Sequence, residues 1–374
     1  MARLRSDGVQ VVIGAYSSDL SIAASSAAND AGLVYWEGGA VADRLTGRGL
    51  PLVFRVGASG TNLGTNSAEF AARDLAPRLD RAAPSLRIAI VAARDDYATS
   101  VADAAAAAAA RAGTPVVLRT SYDLMLPDWP RVMHDLAAAR PDVVILASHI
   151  PDGIAFRRAM LGAGLRVGAL IGSTMAECDP DFAGDLGTDA VGIFASDRPT
   201  GGFRPDVLAS PARAVYDRLA AIWARMFPPG GTPASPAGQD RAYGSGDRSD
   251  PGSSGSEYSI TGPIEEGSPA AGPTEEGLSG FTAAWALLHD VLPRAAGEGA
   301  LDAGRIAAAA RSIDLPTGTL PNGAGLRFST DPGTLGQNER AAAVIWQWQA
   351  VRSYSFVYPA TYATAPVRFV PLTR

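Results

Sequence analysis

Few side chains on this chain could do covalent or metal chemistry, and their spacing argues against both. Cys178 is the single cysteine, which excludes an internal disulfide and any multi-cysteine metal site. Of the three histidines, His134, His149 and His289, no two stand at metal-ligand spacing. There is no Gly-x-Ser-x-Gly elbow, no Walker loop and no His-Glu-x-x-His motif, and no cofactor motif takes their place. Gly162-Ala163-Gly164 closes a helical segment and follows no strand, so it is not a dinucleotide loop. Ser17 and Ser18 stand ahead of an Ala-rich helical segment, where hydroxyls and free amide groups could receive an anion. The same two serines serve equally well as plain helix caps.

Three strand-turn-helix units must position such groups. Val9 to Ile13 is a β-branched strand ending at Gly14, and Tyr16-Ser17-Ser18-Asp19 supplies N-caps for a helix running to Ala31. Leu86 to Ala92 is a second strand. Arg94-Asp95-Asp96-Tyr97 then opens a helix through the seven alanines Ala104 to Ala110, which Gly113 stops. Asp142 to Ala147 is a third strand, and Ser148-His149-Ile150-Pro151-Asp152 leads into the helix Ile154 to Leu161. Shorter strands are predicted at Gly32 to Trp36, Leu52 to Val56, Pro115 to Arg119, Ala169 to Ile171 and Val191 to Ala195. Strands alternating with helices specify an α/β architecture with mostly parallel sheets. Small ligands bind beyond the carboxyl ends of such strands, so the three turns mark the expected site.

Composition sets the outer limits. A chain of 374 residues has room for two domains, and 47% hydrophobic with 19% charged residues excludes wholesale disorder. A net charge of −6 and a pI near 5.2 leave no electrostatic footprint for nucleic acid or an anionic membrane. All 32 basic residues are Arg, which with the Ala, Gly and Pro load reads as GC-rich coding bias. No apolar run reaches the ~18 residues of a membrane span, and Met1 to Gly8 carry no visible secretion signal. From Pro228 to Gly277 the chain is dominated by Gly, Pro, Ser, Asp and Glu, which predicts a disordered low-complexity insertion over 228–277. An amphipathic helix carrying Trp285, Leu288 and Val291 is expected after it, then a helix near Ala303 to Ser312 and a closing strand pair within Ala341 to Tyr358.

Several short motifs occur in a telling order. They are Val11-Val12-Ile13-Gly14-Ala15-Tyr16-Ser17-Ser18, Gly32-Leu33-Val34-Tyr35-Trp36-Glu37-Gly38-Gly39-Ala40 with Leu45-Thr46, and Val53-Phe54-Arg55-Val56. Asp95-Asp96-Tyr97, Pro141-Asp142-Val143-Val144, Gln347-Trp348-Gln349 and Tyr358-Pro359-Ala360 with Ala363-Thr364-Ala365 follow. In these the chain resembles the type I periplasmic substrate-binding proteins, of the branched-chain amino acid (Leu/Ile/Val) binding family. The resemblance covers nearly everything outside the insertion but begins late. Family members have two further strands and a helix before the point reached at Met1 to Ser6, so an N-terminally truncated form is expected.

The resemblance implies two α/β lobes joined by hinge crossovers. The N-terminal lobe takes residues 1–57 and 200–322, and the C-terminal lobe takes 58–199 and 323–374. It implies no enzyme and no cofactor, but a receptor that closes on an amino acid or related polar solute and hands it to an ABC transporter permease outside the cytoplasm. A ligand-sensing regulator of the same fold is the alternative, and an α/β enzyme a more distant one. Carried over residue by residue, the ligand contacts are Ser17, Ser18, the turn Gly39-Ala40-Val41, Tyr97, His149, Thr174 and Glu177. Small residues in the second turn let a ligand's charged end reach the backbone, although Val41 stands where the family has Thr. Tyr97 offers apolar area and a polar tip. The family's acidic partner for the ligand ammonium falls at Thr174, which leaves Glu177 or Glu37 to compensate. If neither reaches the site, an amide, a urea-like solute or a simple carboxylate fits better.

Overall fold

Continuous apolar runs form the centre of a seven-stranded sheet, in a computed structural model that describes residues 1–178, 180–227, 272–297, 300–351 and 353–372. A smaller sheet comes first in the chain: β1 (Val11–Ile13), β2 (Val34–Glu37) and β3 (Val53–Arg55), all parallel and in that order. The large sheet begins with β4 (Ile88–Ala93), β5 (Val116–Tyr122), β6 (Val143–Ala147), β7 (Ala169–Ser173) and β8 (Phe194–Asp197). A short antiparallel pair follows, β9 (Asp314–Leu315) with β10 (Leu326–Arg327), and the chain then returns to the large sheet as β11 (Val344–Ala350) and β12 (Ser353–Tyr358). The large sheet runs β12-β11-β8-β7-β6-β4-β5. Strands β4 to β8 are parallel, and the predicted closing pair is an antiparallel hairpin against β8. The α/β fold with mostly parallel sheets is therefore as the sequence specifies. Every residue of β4, β6, β7 and β8 is buried, as expected of strands covered on both faces.

The helices needed below are α1 (Ser18–Asp30), α2 (Asp96–Arg111), α3 (Ile150–Gly162), α4 (Ser210–Met226) and α5 (Glu275–Trp285). The alanine run of α2 is a packing surface as well as a good helix. The helix Gly60–Phe70 approaches so closely that a Cβ on Gly64 would lie 2.2 Å from the Val101 carbonyl oxygen and 2.9 Å from the Ala104 methyl. One core surrounds the large sheet, while α5, the helix Ala303–Ser312 and Phe328 pack on one face of the small sheet. There Trp36, Phe54 and Phe328 meet with ring centroids 5.1–5.8 Å apart. The chain thus passes between the two sheets three times.

Two sequence expectations change here. Thr274 caps α5 by accepting from Gly277 N at 3.2 Å, and Glu275 is buried, so the low-complexity stretch does not extend to 277. Its remainder, 228–271, lies outside the described residues. Past Trp285 the helix takes a π turn, Ala286–Val291, which shifts the inward face by one residue. Leu287 is buried in consequence, and Leu288 is 62% exposed.

Candidate functional site

The turns after β1 and β2 form one wall of a cavity of about 110 Å3. Tyr16, Ser17, Ser18, Asp19, Gly39 and Val41 line it there. Tyr16 holds a left-handed φ of 63°, a conformation that costs an L residue about 1 kcal/mol or more. Its surroundings enforce it. The ring lies where a Cβ on Gly39 would come within 2.3 Å, the hydroxyl donates to Glu275 Oε2 at 2.9 Å, and the Arg198 guanidinium sits 5.6 Å from the ring centroid. Ser17 is the N-cap of α1, yet its hydroxyl makes no capping bond. The first turn of α1 therefore faces the cavity with donors that no cap has taken. Ser18 Oγ accepts from Ala42 N at 3.1 Å and so ties this turn to the next.

Glu37 reorganises the second turn. Its Oε1 accepts from Gly38, Gly39 and Ala40 N at 2.8–3.1 Å, and its Oε2 accepts from Ser21 Oγ at 2.6 Å and Tyr35 Oη at 3.3 Å. The amides that the resemblance offers to a ligand's charged end at Gly39 and Ala40 are filled from within. Glu37 itself is 1% exposed and is no surface carboxylate. Ala40 sits in the small-sheet core and does not line the cavity.

The opposite wall comes from the large sheet: Asp95, Tyr97, His149, Thr174 and Met175. Asp95 caps α2 through Ala98 N at 2.7 Å, and its second oxygen meets His149 Nε2 at 2.7 Å. Burial pushes the imidazole down, but the bond to Asp95 and the charges of Asp95, Asp152 and Asp19 outweigh it and hold His149 above its usual value. Burial likewise pushes Asp95 up, and the bonds from His149 and Ala98 reverse that and leave it low. Tyr97 stands edge-on to the His149 ring at 5.2 Å, and its hydroxyl donates to the carbonyls of Ser148 (2.9 Å) and Ser173 (2.7 Å).

At the end of β7, Thr174 and Met175 are both left-handed, with φ of 64° and 59°. A β-branched residue there is a genuine outlier. Thr174 is 1% exposed, and its hydroxyl has no hydrogen-bond partner among the described residues. Glu177 does not line the cavity. It turns into the core beside Gly172, fully buried, with neither carboxyl oxygen partnered among the described residues, and burial pushes its carboxyl up to about 8.

Sequence reasoning missed Arg198, which joins the walls. It is 1% exposed, lines the cavity, pairs with Glu275 at 2.7 Å and Asp197 at 3.3 Å, and donates to the Gly39 carbonyl. Met175 was also missed, while Tyr16, Asp19 and Asp95 stand in turns expected at the site but were not singled out as contacts. Of the predicted contacts, the structure brings together Ser17, Ser18, Gly39, Val41, Tyr97, His149 and Thr174 and leaves out Ala40 and Glu177.

A family model described as periplasmic binding protein matches residues 1–239. The chain belongs to this family. Like other periplasmic binding proteins it is a solute binder and not an enzyme. A curated relative from Brucella abortus, a Leu/Ile/Val-binding protein homologue, is 29% identical over 363 residues, covering 97% of this chain and 76% of its own length. A leucine-binding protein from Thermotoga maritima superposes with a TM-score of 0.68 at 15% identity, covering 95% of this chain and 81% of the other. A solute-binding protein of an ABC transporter from R. palustris, solved with 4-hydroxybenzoate, gives 0.63 at 15% identity over 97% and 78%. Among the described residues, no helix is long and apolar enough to cross a membrane.

Proposed function

We propose that this chain is the solute receptor of an ABC transporter, working outside the cytoplasm. It would close two lobes, residues 1–57 with 200–322 and 58–199 with 323–374, on a small solute that carries a carboxylate. The observation that carries the reading is a single cavity built jointly from strand-end turns of both sheets. A solute touching both walls favours the closed arrangement over the open one, and closure is then what a permease reads. The first turn of α1, Ser17, Ser18 and Thr174 receive the carboxylate, while Tyr97, His149, Gly39 and Val41 surround the rest of the solute. Glu177 is left out of this set. One fold neighbour is described as a leucine-binding protein and another was solved with 4-hydroxybenzoate, so fold alone leaves the class of acid open.

The test is a thermal-shift screen of the purified chain against amino acids, organic acids, amides and urea, followed by small-angle scattering with any hit. A solute present at a hundred times its Kd stabilises the native state by about 2.7 kcal/mol, a readable rise in Tm. The expected result is such a rise together with a smaller radius of gyration. Binding with no compaction, or no binding across the screen, would reject the receptor reading.

A further inference from the structure

Resting on that reading, we infer that the solute is a monocarboxylate with a flat apolar ring and no ammonium group. An ammonium taken out of water needs a carboxylate beside it, and each candidate in or near the walls is occupied or misplaced. Glu37 is enclosed by the three amides of its own turn, Ser21 and Tyr35. Glu177 lies in the core against Gly172, away from the cavity. The strand end at position 174 carries a hydroxyl in place of an acid. Asp95 caps α2 and holds His149. Asp197 and Glu275 pair with Arg198, Glu276 accepts from the Tyr16 hydroxyl, and none of these three lines the cavity. Asp19 is the acid that remains in the lining, and it is exposed, where water screens any pair it makes.

The same walls suit an anion. The uncapped start of α1 with Ser17 lines the cavity, and so does Thr174, whose buried hydroxyl has no partner among the described residues. Arg198 and His149 place positive charge at the same walls, although each has acidic neighbours. The remaining lining is ring and apolar surface from Tyr16, Tyr97, Val41 and Met175. Flat rings pack well against such faces.

Calorimetric titration of the full chain with matched probes tests each part of the inference. The pair 4-methylpentanoate and L-leucine differs only in the ammonium, as does 3-phenylpropanoate and L-phenylalanine. Benzoate and benzamide differ in charge, and benzoate and cyclohexanecarboxylate differ in flatness. The expected result is that benzoate binds tightest and that each acid outbinds its amino or amide counterpart by about tenfold or more, one hydrogen bond's worth at least. Thr174→Val weakens benzoate by about tenfold, while Asp19→Asn does not weaken it. An amino acid binding as tightly as its deaminated partner, and losing that affinity in Asp19→Asn, would overturn the inference and leave the receptor reading standing. Cyclohexanecarboxylate matching benzoate would overturn the ring assignment. Silence from every acid, amide and amino acid overturns both readings together.

Discussion

Two turns near the cavity each bury a glutamate against a glycine at a strand end, with opposite results. A Cβ on Gly14 would come within 2.0 Å of the Glu37 carboxylate, and one on Gly172 within 2.0 Å of the Glu177 carboxylate. Both acids are at most 1% exposed. Glu37 gathers five donors and organises the turn after β2, whereas Glu177 gathers none among the described residues and is held as a neutral acid at ordinary pH. Burial alone therefore does not define the role of a buried acid. The donors around it do.

The comparison breaks first at Glu37. Glu37→Ala leaves three buried amides without an acceptor, and a loss of about 3–5 kcal/mol is expected in denaturant unfolding. A loss below about 1 kcal/mol would mean that water satisfies the turn.

Glu177 should show the opposite behaviour. Its carboxyl stands at about 8 in the folded chain against 4.5 in the unfolded one, so the unfolded state binds fewer protons between those values. Stability contributed by the neutral acid is complete below about 4.5 and is lost as the pH rises through about 8. Over that window the native chain should lose on the order of 3–5 kcal/mol relative to Glu177→Gln, read as diverging melting curves. Parallel curves would reject the neutral acid.

Asp95→Ala comes next. It removes the cap of α2, worth about 1–2 kcal/mol, and the pair with His149. That pair is complete above the unfolded Asp value of 3.8 and below the unfolded His value of 6.5, and it fades outside them, so the loss peaks between the two. A pH-independent loss would reduce Asp95 to a cap alone. Smallest is Thr174→Val, which removes a hydroxyl that has no partner among the described residues and should change unfolding free energy by under about 1 kcal/mol in the absence of solute.

The fold was legible because its central strands announce themselves. The runs at 88–93, 143–147 and 169–173 are apolar on both faces, and Gly or capping residues follow the strands. The site was legible in outline by the same rule, since Ser17, Tyr97 and His149 all stand just past strand ends. Arg198 also stands just past one, β8, and the same rule applied there would have found it. Its partner Glu275 was hidden because it sits at the end of a stretch whose composition signals no structure, and long-range pairing leaves no trace in local sequence. The fates of Glu37 and Glu177 were harder to read, because three of Glu37's donors are local amides but Ser21 comes from α1, and the burial of Glu177 beside Gly172 is set by tertiary packing.

The phenol of Tyr97 carries one further consequence. Its proton is already shared between two main-chain carbonyls that fasten the ends of β6 and β7. This side chain therefore has no proton left for an incoming cargo and presents only its ring. It can gauge thickness and shape, and it gives no preference to a cargo that brings an acceptor to that wall.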